Sequence, residues 1–285
     1  MWDFYSCRLR GIMKNIISGC FILTILLIGG VFAEDTNDNQ TIGKPWMLNN
    51  ESAHAMIELY AADLRMIEDG FGSLILKDAS EVEDFMIATQ DPDGKIDALL
   101  DTIDAAVNES EEATAEWATL YSAYDALNAS GLQMLSTFEA HNLTPAEDEV
   151  VEYKDAAVDL IRVFDNIIAR FIDKNAIGED SFRLLLYTHL LGAVNAQEGY
   201  VLTADPALID LYTEKMSAFD TDAALFESRF AESSIEDIRE LKQKADGVVQ
   251  ESMTNMTENG SEADMSALIP VVIEIMDGYK ETTTL

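Results

Sequence analysis

Two apolar seams that repeat at alternating steps of three and four residues constrain this chain most. The first runs Trp117, Leu120, Tyr124, Leu127, Gly131, Met134 and Phe138. The second runs Val150, Tyr153, Ala157, Leu160, Phe164, Ile167 and Phe171. That spacing returns each residue to one side of an α-helix, so each seam is a continuous stripe. A stripe of that length has to be covered by other helices. Glycine and proline are scarce, 15 and 5 in 285 residues, and no stretch alternates apolar and polar as a strand does. The chain therefore reads as all-α: an antiparallel helical bundle, either elongated or as two packed bundles.

Start and stop signals place helices near 50–69, 80–90, 95–141 with a break near Ser110, 145–176, 180–202, 206–231, 234–257 and 262–279. Thr144-Pro145-Ala146-Glu147 reads as a capping box with proline at the first helical position. Ser80 with Glu83 and Ser233 with Glu236 repeat the device, and Asp205-Pro206 opens another helix. Gly70 to Gly72, Asp91 to Gly94, Gly178 and Asn259-Gly260 read as stops. The joint at Asn142 to Pro145 separates a first helical region, 49–142, from a second, 143–281.

Ahead of the helices, Lys14 precedes an apolar stretch from Ile16 to Phe32, and Val31-Phe32-Ala33 stands just before Glu34-Asp35. This is the pattern of a signal peptide over 1–33, cut between Ala33 and Glu34, with Met13 as the expected start. The rival is an uncleaved anchor, because 17 apolar residues lie at the lower edge of what spans a bilayer. Ile17-Ser18-Gly19-Cys20 resembles a lipoprotein box, but lies near the start of the apolar region rather than closing it. The expected location is extracellular or at the cell surface, with membrane contact only through this segment. Cys7 and Cys20 both fall in it, so the mature chain has no disulfide, thiolate nucleophile or cysteine metal ligand. Residues 34–48 are polar, contain Gly43 and Pro45, and read as a flexible linker.

The chain carries 53 acidic and 18 basic residues, a net charge of −35. Such a surface repels nucleic acid and anionic membranes. An apolar fraction of 48% excludes disorder as the source of that charge. Seven of the thirteen asparagines stand in Asn-x-Ser/Thr sequons: Asn39, Asn50, Asn108, Asn128, Asn142, Asn255 and Asn259. Chance would supply about one or two. The excess points to export into a compartment with N-glycosylation, and Pro145 makes Asn142 the weakest acceptor.

Catalytic signatures are missing: no glycine loop for phosphate, no His-Glu-x-x-His and no Ser-His-Asp motif. The nearest approach to a metal site is the stretch from Thr89 to Asp97, where Asp91, Asp93 and Asp97 fall at calcium-loop positions around Gly94. Thr89 replaces the first acidic ligand and Leu100 the bidentate one, so the stretch reads as a turn before it reads as a site. His54, His141 and His189 are far apart. His54 with Glu58 has the spacing zinc uses, and His189 on an apolar face reads as a hydrogen-bonded core residue. Arg65, Arg162, Arg170, Arg183 and Arg229 are expected to pair with neighbours such as Asp159 or Asp165, leaving one or two to hold a small anion in a pocket.

Leu190 to Phe219, LLGAVNAQEGYVLTADPALIDLYTEKMSAF, resembles the extracellular four-helix-bundle sensory domains of chemoreceptors and histidine kinases, including the CHASE type. Those pair a small-residue helix with a Gly-Tyr-Leu-Leu-Thr-Gly-Asp-like turn, matched by Gly199 to Pro206, and a helix with spaced aromatics, matched by Tyr212 and Phe219. Glu198 stands where many members carry a basic residue, and no signalling module follows in this sequence. The resemblance implies a binding or sensor-like protein, not an enzyme and without a cofactor, that captures a small ligand or an envelope partner. The alternative is a structural or interaction protein of the cell envelope whose acidic, glycosylated surface does the work.

Overall fold

The computed structural model describes residues 46–76, 94–140, 146–259 and 268–282, all within one compact unit running Trp46–Leu285. Regular structure among them is entirely helical. In chain order the helices are α1 (Asn50–Leu76), α2 (Lys95–Val107), α3 (Glu111–Ala140), α4 (Glu147–Phe171), α5 (Glu179–Thr203), α6 (Ala207–Arg229), α7 (Glu236–Asn259) and α8 (Leu268–Thr282). No helix among the described residues is long and apolar enough to cross a membrane.

The arrangement is centred on α5. Eighteen of its 25 residues are buried, which leaves no face for water. Its sequence explains this: Phe182, Leu184 to Leu186, Leu190, Leu191 and Val194 cover every side of the helix rather than one stripe. Helices α1 and α6 pack most closely on it, and α4, α7 and α8 complete the shell. Pairings fix direction. His54 meets Ser181, and the Leu64 carbonyl meets Asn195, so α1 and α5 run parallel. Lys154 meets Asp205 and Lys215 meets Asp165, so α4 and α6 also run parallel.

The two seams meet, α3 lying along α4. Trp117, Leu120, Leu127 and Met134 face Tyr153, Ala157, Leu160, Phe164, Ile167 and Phe171 in a single core, all of them buried. The expected break at Ser110 is present: α2 ends at Val107, and the Ser110 hydroxyl accepts the Ala113 N–H as the cap of α3. Helices on the two sides of the Asn142–Pro145 joint pack on each other, α1 on α5 and α3 on α4.

Four local expectations are corrected. Helix α1 runs through Gly70 and Gly72 to Leu76 instead of stopping. Gly70 is there for contact: a Cβ on it would lie 2.2 Å from the Tyr153 hydroxyl oxygen. Helix α4 begins at Glu147, with the Ala146 N–H donating to Glu149. Before α7, the Ser234 hydroxyl, not that of Ser233, accepts the Glu236 N–H. Trp46 and Leu48 belong to the folded part; Leu48 is buried and its N–H donates to the Phe171 carbonyl at 2.8 Å.

The sensor-like stretch is a helical hairpin. Helix α5 continues to Thr203, and the chain turns at Ala204 with φ 54°, the only left-handed non-glycine among the described residues. Asp205 accepts the Ala207 N–H and opens α6. The family-like pattern has glycine where Ala204 stands. A left-handed alanine costs about 1–2 kcal/mol, part of which glycine returns as chain entropy. Ala204→Gly is expected to raise stability by about 0.5–1 kcal/mol in urea unfolding.

Candidate functional site

Two places in this bundle hold unusual chemistry: a charged core beside α5 and an aromatic cleft at one end.

The charged core comes from α6. Leu208, Leu211, Phe219 and Phe226 make its buried stripe, and Lys215 and Asp222 stand on the same stripe, 1% and 2% exposed. Lys215 donates to Asp165 on α4 and to the Tyr60 hydroxyl on α1. Its stem lies across Gly192, where a Cβ would come within 3.1 Å of Cε. Burial lowers the Lys215 pKa, and Asp165 works against that shift. Burial, then Asp165, pushes the Tyr60 phenol well up, so Tyr60 stays neutral.

Deeper along the same face, Asp222 Oδ2 receives His189 Nε2 at 2.9 Å and Lys174 Nζ at 2.6 Å. Burial opposes the Asp222 charge, but those two bonds outweigh it and hold its pKa below the usual value. Burial lowers the His189 pKa more than Asp222 raises it, so the ring is neutral near pH 7. Nε2 then carries the proton given to Asp222, which leaves Nδ1 a buried acceptor without a partner. His189 is thus the hydrogen-bonded core residue its sequence position suggests.

Asp63 is 4% exposed on α1, and burial pushes its pKa well up. Its unfolded form ionises near pH 4 while the folded form keeps its proton. Stability due to this group is therefore fully present at low pH and lost as pH rises from there toward the folded value, by up to about 1.4 kcal/mol per unit. Asp63→Asn is expected to match wild type near pH 3 and to exceed it increasingly toward pH 7, in denaturant melts across that range.

The cleft lies where the start of the folded chain crosses the ends of several helices. Trp46 and Leu48 precede α1, Met56 is on α1 and Val107 ends α2. Ala113, Glu116 and Trp117 come from the first turns of α3, and Ile167 and Phe171 from the last turns of α4. The space inside it is about 10 Å³, and Glu116 is its one charged wall residue. Trp46 stands edge-on to Phe171 with ring centroids 5.9 Å apart, and Trp117 edge-on to Tyr121 at 5.0 Å. The Trp117 N–H donates to Asp104, which fixes the indole. At the rim Arg170 bridges Glu112 and Glu116, and its guanidinium lies 5.2 Å from the Phe171 ring centre.

The residues singled out from sequence are only partly brought together. Asp97 sits in the first turn of α2, behind Gly94 in a left-handed conformation, while Asp91 and Asp93 lie outside the described residues. Leu100 is half-buried against the core. Among the described residues no three His, Cys, Asp or Glu side chains converge as a metal ion requires. His54 bonds Glu58 through Nε2 at 3.3 Å and the Ser181 hydroxyl through Nδ1 at 2.9 Å, a tie between α1 and α5. The Glu58 bond raises the His54 pKa against burial.

Asn50 and Asn108 are exposed at helix ends, and Asn128 is half-buried in the middle of α3. Asn255 and Asn259 lie on α7. Asn39, Asn142, His141 and the Ala33–Glu34 cut are outside the described residues. Asp165 takes Lys215 rather than an arginine. Arg65 lies near Asp69, Arg183 near Asp237, and Arg229 holds the Lys174 and Ile177 carbonyls. Among the described residues the buried cations are lysines, Lys154 and Lys215, and sequence reading missed both; Lys215 is signalled by its place between Leu211 and Phe219.

No family model, curated protein or solved structure matches this chain. The geometry alone carries the functional reading.

Proposed function

We propose that this chain is an exported helical-bundle binding protein, resembling a stand-alone sensor domain, that captures a small ligand without bond chemistry. One observation carries the reading. Trp46, Trp117 and Phe171, far apart in sequence, meet around a cleft that is open to solvent. Aromatic walls with a single polar wall residue are the usual make-up of a small-molecule site. The space inside is about 10 Å³, room for one water-sized group, so the cleft would grip one small end of a ligand whose remainder lies outside it.

A second reading, an interaction protein of the envelope with an acidic glycosylated surface, draws on the exposure of Asn50 and Asn108. Thermal-shift screening of the glycosylated chain against organic acids, amino acids, amines and divalent cations separates the two. Ligand capture predicts that one class raises the melting temperature of wild type but not of Trp46→Ala. If no class does so, and the protein co-purifies with envelope polymer, the second reading stands instead.

A further inference from the structure

We infer that α6 is a lid loosened by acid: His189 takes up a second proton only when α6 leaves α5. Among the described residues α6 packs closely on α5 and on no other helix. Its ties across the core are polar: Lys215 reaches Asp165 on α4 and Tyr60 on α1, and Asp222 receives Lys174 from the loop before α5. Charge therefore lies inside a helix interface that would ordinarily be apolar.

His189 is 5% exposed in that interface. Its Nε2–H donates to Asp222 at 2.9 Å, and Nδ1 is a buried acceptor without a partner. A second proton has to go on Nδ1, where no acceptor meets it. The charged groups that act most on the ring are Asp222 and Lys215 from α6 and Lys174 from the loop. Two of the three are cations, and the carboxylate is shared with Lys174. Asp165 from α4 and the Tyr60 hydroxyl from α1 stand behind them, both engaged by Lys215.

The closed bundle thus resists the proton, whereas an imidazole in water accepts one below about pH 6.5. Burial holds the folded ring below that value. Closure is therefore fully favoured above about pH 6.5 and loses ground as pH falls from there toward the folded value. Asp222, held below the ordinary carboxylate value, stays ionised over the same window. Separation bares the stripe of Leu208, Leu211, Phe219 and Phe226, so acid changes the surface the protein presents.

The test is hydrogen exchange of the full chain from about pH 8 to about pH 5, each rate corrected for the intrinsic pH dependence of exchange. Protection of the α6 amides is expected to fall by up to about tenfold per pH unit below about 6.5, while α3 and α4 keep theirs. His189→Gln offers Asp222 an N–H and takes up no proton, so its α6 protection should stay level. A second readout needs no change at His189: its Cε1–H NMR signal, assigned by elimination with His54→Gln and His141→Gln, should keep its neutral position down to about pH 6.5. Wild-type α6 protection that is level with pH, or that falls equally in His189→Gln, overturns the proposal. So does a loss shared equally by α3 and α4, which is global unfolding, or a His189 signal that titrates at or above about 6.5. None of these results bears on ligand capture in the cleft.

Discussion

Asp165→Ala should lower stability by about 3–5 kcal/mol in urea unfolding at pH 7, while Lys215→Met costs about 1 kcal/mol or less. The two residues are one ion pair, yet their surroundings differ: Lys215 is 1% exposed and the Asp165 side chain 31%. Without Lys215, Asp165 still reaches water. Without Asp165, the Lys215 ammonium is shut in with only the Tyr60 hydroxyl beside it. Its one escape is to lose the proton, three to four pH units below the ordinary lysine value. At about 1.4 kcal/mol per unit, this caps the penalty near 5 kcal/mol. The Lys215 pKa is then pushed further down, so the lost stability returns as pH rises from about 7 toward 10, more steeply in the variant than in wild type. Equal effects of the two substitutions would mean that the pair is equally hydrated at both ends.

Gly70→Ala is the second large effect. A Cβ at this position would lie 2.2 Å from the Tyr153 hydroxyl oxygen, 2.7 Å from Cζ and 2.9 Å from Cε1. Tyr153 is fully buried, stacks edge-on against Phe71 at 5.4 Å and donates to the Met66 carbonyl. The ring therefore has nowhere to go, and α1 must move from α4. Overpacking of this kind costs about 1–3 kcal/mol or somewhat more, against about 1 kcal/mol gained in helix propensity. A net loss of about 2 kcal/mol is expected by chemical denaturation. Tyr153→Phe should not rescue it, because the ring carbons still clash. Tyr153→Leu should, with the double variant less destabilised than the sum of the single ones.

Gly70 also shows where sequence reading fails. A glycine near the end of a periodic stretch is both a stop signal and a device for close helix contact. Only the partner, 83 positions away at Tyr153, decides between them. The seams in α3 and α4 were legible because they are local: a three-and-four spacing is a property of one helix. Ser110 was legible for the same reason. Lys215 and Asp222 were hidden by the expectation that charged residues point outward, although both lie on the stripe of Leu208, Leu211, Phe219 and Phe226. The cleft was hidden more deeply. Trp46, Trp117 and Phe171 come from separate parts of the chain, and only packing brings them together.

Small-ligand capture in that cleft is reported most directly by its own tryptophans. The chain has three, Trp2, Trp46 and Trp117, and Trp2 falls in the segment expected to be removed on export. The indole N–H signals of Trp46 and Trp117, assigned by single Trp→Phe variants, can be followed by NMR in the exported chain as a compound that raises its melting temperature is added. Both signals are expected to shift together along one saturating curve. Unmoved Trp46 and Trp117 signals at concentrations that raise the melting temperature would place the ligand elsewhere and contradict capture in the cleft.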